Sequence, residues 1–219
     1  KEYVGFGVDF TLESQKTETH NDIETTVTQL KHTSGLVFEV TSVYYPNYNA
    51  CDWVAYISNN TGENSPVISG INAADLTLRG KNPYLFGNYG DSQQYKPYTV
   101  NVDGTYTTSS KGGRSTQANS SYFNLEYGSR GWPGQWSMTL DNSENPGITR
   151  LVAGQESFSA YLKNGETIRT PLMAFVHYDG QDQDRATNLW RHWMIDCNMH
   201  RVTQNASGEG ELKLMDPML

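Results

Sequence analysis

The chain is short of charge, of cysteine and of long apolar runs. Lys, Arg, Asp and Glu together make up 18 % of its 219 residues, against about 25 % in an ordinary soluble domain. Its 16 Lys and Arg never stand side by side. A nucleic-acid or anionic-membrane partner needs a concentrated basic footprint, so the sequence argues against both, and the net charge of −8 points the same way. No apolar run approaches the ~18 residues of a membrane-spanning helix. Two cysteines, Cys51 and Cys197, cannot form a four-ligand zinc site by themselves. They read as free, partly buried thiols, with a single long-range disulfide as the alternative.

Familiar chemistry is missing as well. The five histidines, His20, His32, His177, His192 and His200, form neither an HxH nor an HExxH pattern. Asp179 to Asp184 has acidic spacing like the start of a calcium loop, but lacks the Gly at position six and the Glu at position twelve. It reads better as a helix N-terminal turn, where acids oppose the dipole. There is no Gly-x-Ser-x-Gly, and Gly112-Gly113-Arg114-Ser115 lacks the Lys and spacing of a P-loop. Neither a metal nor a cofactor is expected, and no catalytic residue is assigned.

What the chain does have is aromatic residues, 12 % of the total and spread along its length, which excludes disorder. Val4, Phe6, Val8, Phe10 and Leu12 alternate at period two, the pattern of a half-buried strand. Further strands are predicted at 23–30, 36–45, 53–58, 67–71, 75–78, 122–127, 136–140, 148–152, 158–162 and 172–178, with turns at Gly35, at Asn59 to Gly62 and at Gly165. Residues 80–121 are rich in Gly, Ser, Asn and Tyr and read as functional loops or contact surface. From Asp182 to Asn198, Ala186, Leu189, Trp190, Trp193, Met194 and Cys197 recur at three and four, the spacing of one helix face. Residues 202–210 read as a linker. About twelve strands and then one helix predict an all-β fold, a large β-sandwich with an outgoing helix.

Several aromatics fall on predicted loops. Gly131-Trp132-Pro133-Gly134-Gln135-Trp136 sets two indoles about a rigid turn, and Pro46 lies among Tyr44, Tyr45 and Tyr48. Such rings suit the apolar faces of neutral sugars, although a Trp beside a strand is more often core. Asn59, Asn119 and Asn205 head Asn-x-Ser/Thr sequons, which matter only in a secreted eukaryotic protein. The compartment stays open between bacterial cytoplasm and secretion.

Gly112 to Ser115, Phe123-Asn124-Leu125, Gly131 to Trp136, Val152 to Glu156, Gly165 to Leu172 and Asn188 to Met194 occur in an order that resembles the N-terminal domain of glycoside hydrolase family 36 α-galactosidases and their relatives. The likeness is best over about residues 110–200, and looser at Asp52-Trp53, Asn59-Asn60 and Asp75-Leu76. The resemblance implies a galactose-mutarotase-like β-supersandwich over 1–180. A connecting helix and linker over 181–219 would lead toward a (β/α)8 barrel that carries both catalytic carboxylates. Neither the nucleophile motif nor the acid/base motif of that barrel is in this chain, and both chain ends read as cuts. The implied role is a non-catalytic domain of a retaining exo-glycosidase, inactive alone, that supports the barrel, homo-oligomer contacts and the wall of an α-galactoside or other neutral-sugar pocket. Candidate wall residues are Asp52, Trp53, Asp91, Arg114 and Trp132. Arg169, Arg191 and Glu166 match the same motifs and read as structural. The alternative is a free-standing carbohydrate-binding module. A self-sufficient mutarotase-like enzyme would need a convergent His and acid pair, for which no motif is present.

Overall fold

The computed structural model describes residues 9–79, 84–90, 96–110, 118–125, 128–130, 135–145, 147–178, 180, 182–199, 201–202 and 213–214. Branched and aromatic side chains suit a pleated surface, and strands dominate. In chain order they are β1 (Phe10–His20), β2 (Ile23–His32), β3 (Val37–Tyr45), β4 (Ala50–Ser58), β5 (Ile68–Ser69), β6 (Asn72–Arg79), β7 (Tyr84–Tyr89), β8 (Pro97–Asn101) and β9 (Thr105–Ser109). There follow β10 (Asn119–Leu125), β11 (Gly128–Arg130), β12 (Ser137–Asp141), β13 (Ile148–Gly154), β14 (Ser159–Ala160), β15 (Thr167–Arg169) and β16 (Met173–Val176). The helix α1 (Gln183–Trp193) comes next, and β17 (Arg201–Val202) pairs with β18 (Lys213–Leu214) at the end.

Two antiparallel sheets make the body. The larger has ten strands in the order β1-β2-β3-β4-β16-β11-β10-β7-β8, with β15 also against β4. The smaller has four, in the order β6-β13-β12-β9. The main core lies between them: Leu85 and Met173 from the larger sheet meet Ala74, Met138, Leu140, Leu151 and Ala153 from the smaller. Strand alternation then decides what lies on the opposite face. In β16, Met173 and Phe175 join this core, whereas Ala174 and Val176 face away and pack with Tyr45, Ala50 and Trp193 of α1. A third, smaller core gathers Leu36, Ile57, Ile71 and Leu162. The fold is thus an all-β sandwich with one helix laid on the outer face of its larger sheet.

The helix forms where its apolar spacing predicts. Asp182 caps it, its Oδ1 accepting from the amides of Asp184 and Arg185 at 3.0 Å. It gives way at Met194 to a wider π-type turn over Met194–Asn198. Other expectations need correction. Residues 80–121 are not simply loop surface: β7, β8 and β9 lie there. Their Tyr and Thr alternate around the buried Leu85 and Val102, so few aliphatics suffice. The first strand continues to His20, well past the apolar alternation that ends at Leu12, and its later side chains are polar and exposed. The short strands β11 and β15 were not predicted. Eighteen strands are found among the described residues, not about twelve.

Two positions show how tightly the loops are held. Asn59, at the end of β4, is fully buried. Its Nδ2 donates to the carbonyls of Glu63 and Leu162, both at 2.7 Å, and its Oδ1 accepts from the amide and hydroxyl of Thr61. Gly154 lies so close to β6 that a Cβ there would come within 2.1 Å of the Ile71 carbonyl oxygen.

Asn59→Ala removes the partner of the buried Leu162 carbonyl and of the part-buried Glu63 carbonyl, and the expected loss is about 2–3 kcal/mol in urea unfolding. Gly154→Ala must push one backbone segment off another. An expected loss of about 3 kcal/mol, read as a lower midpoint with an unchanged denaturant slope, checks this.

Candidate functional site

Among the described residues the most enclosed carboxyl, that of Asp52, lies where α1 meets the larger sheet. The turn Pro46–Tyr48 joins β3 to β4, with Asn49 in the left-handed region at φ 47°. It returns the chain so that Tyr45 and Asp52 lie on one face. The Tyr45 hydroxyl donates to Asp52 Oδ2 at 2.9 Å, and the Tyr45 ring meets Trp193 edge to face at 5.4 Å. Trp193 in turn meets Trp190 at 5.0 Å. Both Tyr45 and Asp52 are buried. Burial pushes the Asp52 carboxyl above the usual carboxylate range, and the bond from Tyr45 only partly offsets this. Burial, and then the nearby Asp52 charge, drives the Tyr45 phenol upward too.

A second pair pins the helix end. The Tyr48 hydroxyl donates to Asp196 Oδ2 at 2.8 Å, and this bond above all pushes Tyr48 up to about 12. Cys197 joins the apolar cluster under the helix, and burial raises its thiol. Cys51 alternates with Ala50 and Asp52 on β4, so its side chain lies on the opposite face of the sheet, where burial raises it as well. Both thiols are free, and the sheet stands between them.

The wall residues named from the sequence fare differently. Asp52 and Trp53 are neighbours on β4 and therefore point to opposite faces. Trp53 enters the space between the sheets, stacks on Phe175 at 5.3 Å with an interplanar angle of 4°, and donates its indole N–H to the Ala73 carbonyl at 2.7 Å. Asp52 belongs to the helix layer. Asp91, Arg114 and Trp132 lie outside the described residues. Glu166 accepts from the Lys163 amide at 2.8 Å and closes its turn, as a structural residue should. Sequence reasoning missed Tyr45 as the partner of Asp52; an isolated acid among Ala50, Cys51, Trp53 and Val54 was the available signal.

Several other acids are engaged in structural bonds. Arg150 grips Asp75 with two nitrogens at 2.8 and 2.6 Å, which holds that carboxyl below its usual range. Asp141 accepts from the Ser143 amide, and Glu156 from the Ser109 hydroxyl. Among the described residues no group of three or more His, Cys, Asp or Glu could hold a metal ion. The arrangement is one that fixes a helix to a sheet, with a buried carboxyl at the joint.

No protein-family model and no curated protein matches the chain. Solved structures do. The α-galactosidase from Lactobacillus brevis superposes with a TM-score of 0.66 at 16 % identity, over 85 % of this chain and 28 % of that one. The family GH36 α-galactosidase AgaA from Geobacillus stearothermophilus, in a variant complexed with raffinose, gives 0.69 at 16 %, over 83 % and 29 %. AgaB from the same organism gives 0.68 at 15 %, over 89 % and 32 %. The fold of this chain is therefore that of one region of these enzymes, and the chain spans less than a third of their length.

Asp52 supplies the prediction. A carboxyl raised in the folded state stabilises the fold fully below its unfolded value, about 4, and that contribution is lost as pH rises through the folded value. Unfolding free energies from pH 4 upward are expected to fall less steeply in Asp52→Asn than in the wild type. Parallel profiles would show that Asp52 is not raised.

Proposed function

We propose that the chain is the N-terminal domain of an α-galactosidase-like retaining exo-glycosidase and acts as a structural support for a catalytic barrel. The observation that supports this reading most strongly is the superposition on GH36 α-galactosidases over more than four-fifths of this chain and under a third of theirs. Retaining hydrolysis needs two carboxylates about 5–5.5 Å apart on either side of the scissile bond. The well-held acids of this chain, Asp75, Asp141, Asp182 and Glu156, are instead bonded to neighbouring protein groups. In this reading residues 1–180 form the sandwich and 181–219 the connection to the barrel, with α1 pinned by Tyr45, Asp52 and Trp193. Ile195 and Met199, exposed beyond the docked face of the helix, suit contact with that neighbour. Copies of the parent enzyme would associate, and its substrate would be an α-galactoside or another neutral sugar. The candidate wall residues Asp91, Arg114 and Trp132 would face the sugar, while Asp52 and Trp53 act from inside the domain.

The test is direct. The 219-residue chain is expected to show no turnover of a p-nitrophenyl α-galactoside and no heat of binding with galactose or melibiose. Turnover would overturn the supporting role, and binding without turnover would make the chain a carbohydrate-binding module in its own right.

A further inference from the structure

Strand β1 is odd for its length. Every residue after Phe10 is exposed, and among the described residues it pairs only with β2. β2 is paired on its other side with β3, so β1 is the edge of the larger sheet, and without a buried face it gains little from packing. Here polar bonds hold it. Thr17 Oγ1 lies 2.9 Å from Thr26 Oγ1, Gln15 Nε2 donates to Thr28 Oγ1 at 3.0 Å, and Lys16 pairs with Glu18 along the strand at 2.5 Å. Of the devices that blunt an edge, β1 carries charged side chains at Glu13, Lys16 and Glu18 and a bulge near its start. The strand has no proline, and the one irregularity in its pairing falls between Leu12 and Ser14. From Ser14 to His20 the register with β2 is unbroken.

The turn tells which backbone groups are free. Asn21 and Asp22 both have positive φ, 50° and 64°, and form a two-residue turn of the I′ kind between His20 and Ile23. Residues flanking such a turn exchange their own hydrogen bonds. His20, Glu18 and Lys16 therefore direct their amides and carbonyls at β2, and Thr19, Thr17 and Gln15 direct theirs outward.

We propose that two copies of this chain pair antiparallel through these outward groups, with Thr17 opposite Thr17 of the second copy, so that their larger sheets become one. Outward residues must meet outward residues, which leaves few two-fold registers. Centring on Lys16 sets like charges against each other, and so does centring on Glu18. Centring on Gln15 puts Glu18 opposite the bulged stretch. Centring on Thr17 puts Gln15 opposite Thr19, and puts Lys16 of each copy opposite Glu18 of the other in the close, non-hydrogen-bonded positions where side chains interact best. Centring on Thr19 runs into the Asn21-Asp22 turn and leaves only residues 18–20 to pair. The edge is neutral in sum from Ser14 to Thr19, and of these registers the one centred on Thr17 sets opposite charges together over the longest unbroken stretch.

Sedimentation equilibrium of the 219-residue chain tests the pairing. The wild type is expected to be a dimer. Thr17→Pro removes an outward N–H and no bond within the hairpin, so it is expected to be monomeric with an unchanged circular dichroism spectrum. Lys16→Glu sets acid against acid twice and is expected to weaken the dimer about tenfold. Lys16→Glu combined with Glu18→Lys restores opposite charges and should return wild-type affinity, an outcome that a general effect on folding would not produce. A wild type that stays monomeric at its highest soluble concentration overturns the proposal. So does a dimer indifferent to Thr17→Pro, or a double variant as weak as Lys16→Glu alone.

Discussion

The middle of the larger sheet has to be covered twice, and the rest of the molecule follows from that requirement. β4 and β16 lie side by side with apolar residues on both faces. A strand buried on one face only would carry polar residues at every second position; Met173 to Val176 carries none. One face is answered by the four-stranded sheet, whose Met138, Leu140 and Leu151 are almost completely buried. The other is answered by α1. Small residues at Ala50 and Ala174 let the helix approach, and the large Trp193 fills the space they leave. The helix is therefore part of the fold and not an appendage, even though it comes after all but the last two short strands.

Polar groups caught between these layers are satisfied by specific means. β15 and β16 both lie against β4, and the chain passes from one to the other through Thr170, Pro171 and Leu172. Pro171 has no amide to donate. Thr170 keeps the ladder going at this point: its amide donates to the Ala55 carbonyl at 2.8 Å, and its hydroxyl accepts from the Ala55 amide at 3.0 Å. Trp53 is bonded through Ala73 in a similar way, which links the larger sheet to the edge strand β6 of the smaller. The polar side chains at these joints serve the architecture first. Asp52, the most enclosed acid among the described residues, accordingly lies at a packing joint between the larger sheet and α1.

Strands with an apolar face were legible in the sequence. β3, β4, β13 and β16 announce themselves by Val, Ile, Leu and aromatic residues, and α1 by its three-and-four spacing. The remainder was less legible for physical reasons. β1 owes its conformation to pairing with β2 and to the Asn21-Asp22 turn, so its polar side chains carry no burial signal. β8 and β9 are held by long-range registers with β7 and β12 that local composition does not encode. The three residues of β15 are too few to show a period. At the helix joint, Asp52 was visible as a residue of interest because of its motif, but its partner Tyr45 stands across a turn and its neighbour Trp193 far along the chain.

Asn59 ties the order of synthesis to the finished structure. Its side chain heads a sequon and ends up fully enclosed, bonded to the Leu162 carbonyl 103 positions later. A chain emerging from the ribosome presents Asn59 well before Leu162 exists. In the bacterial cytoplasm that delay is harmless. In a compartment that attaches glycans to nascent chains, the same delay leaves the amide open to a bulky, hydrated substituent that the folded interior has no room for. Expression of this domain in a secretory eukaryotic host would therefore set glycosylation in competition with folding at Asn59, and chains modified there could not close the loop onto Leu162.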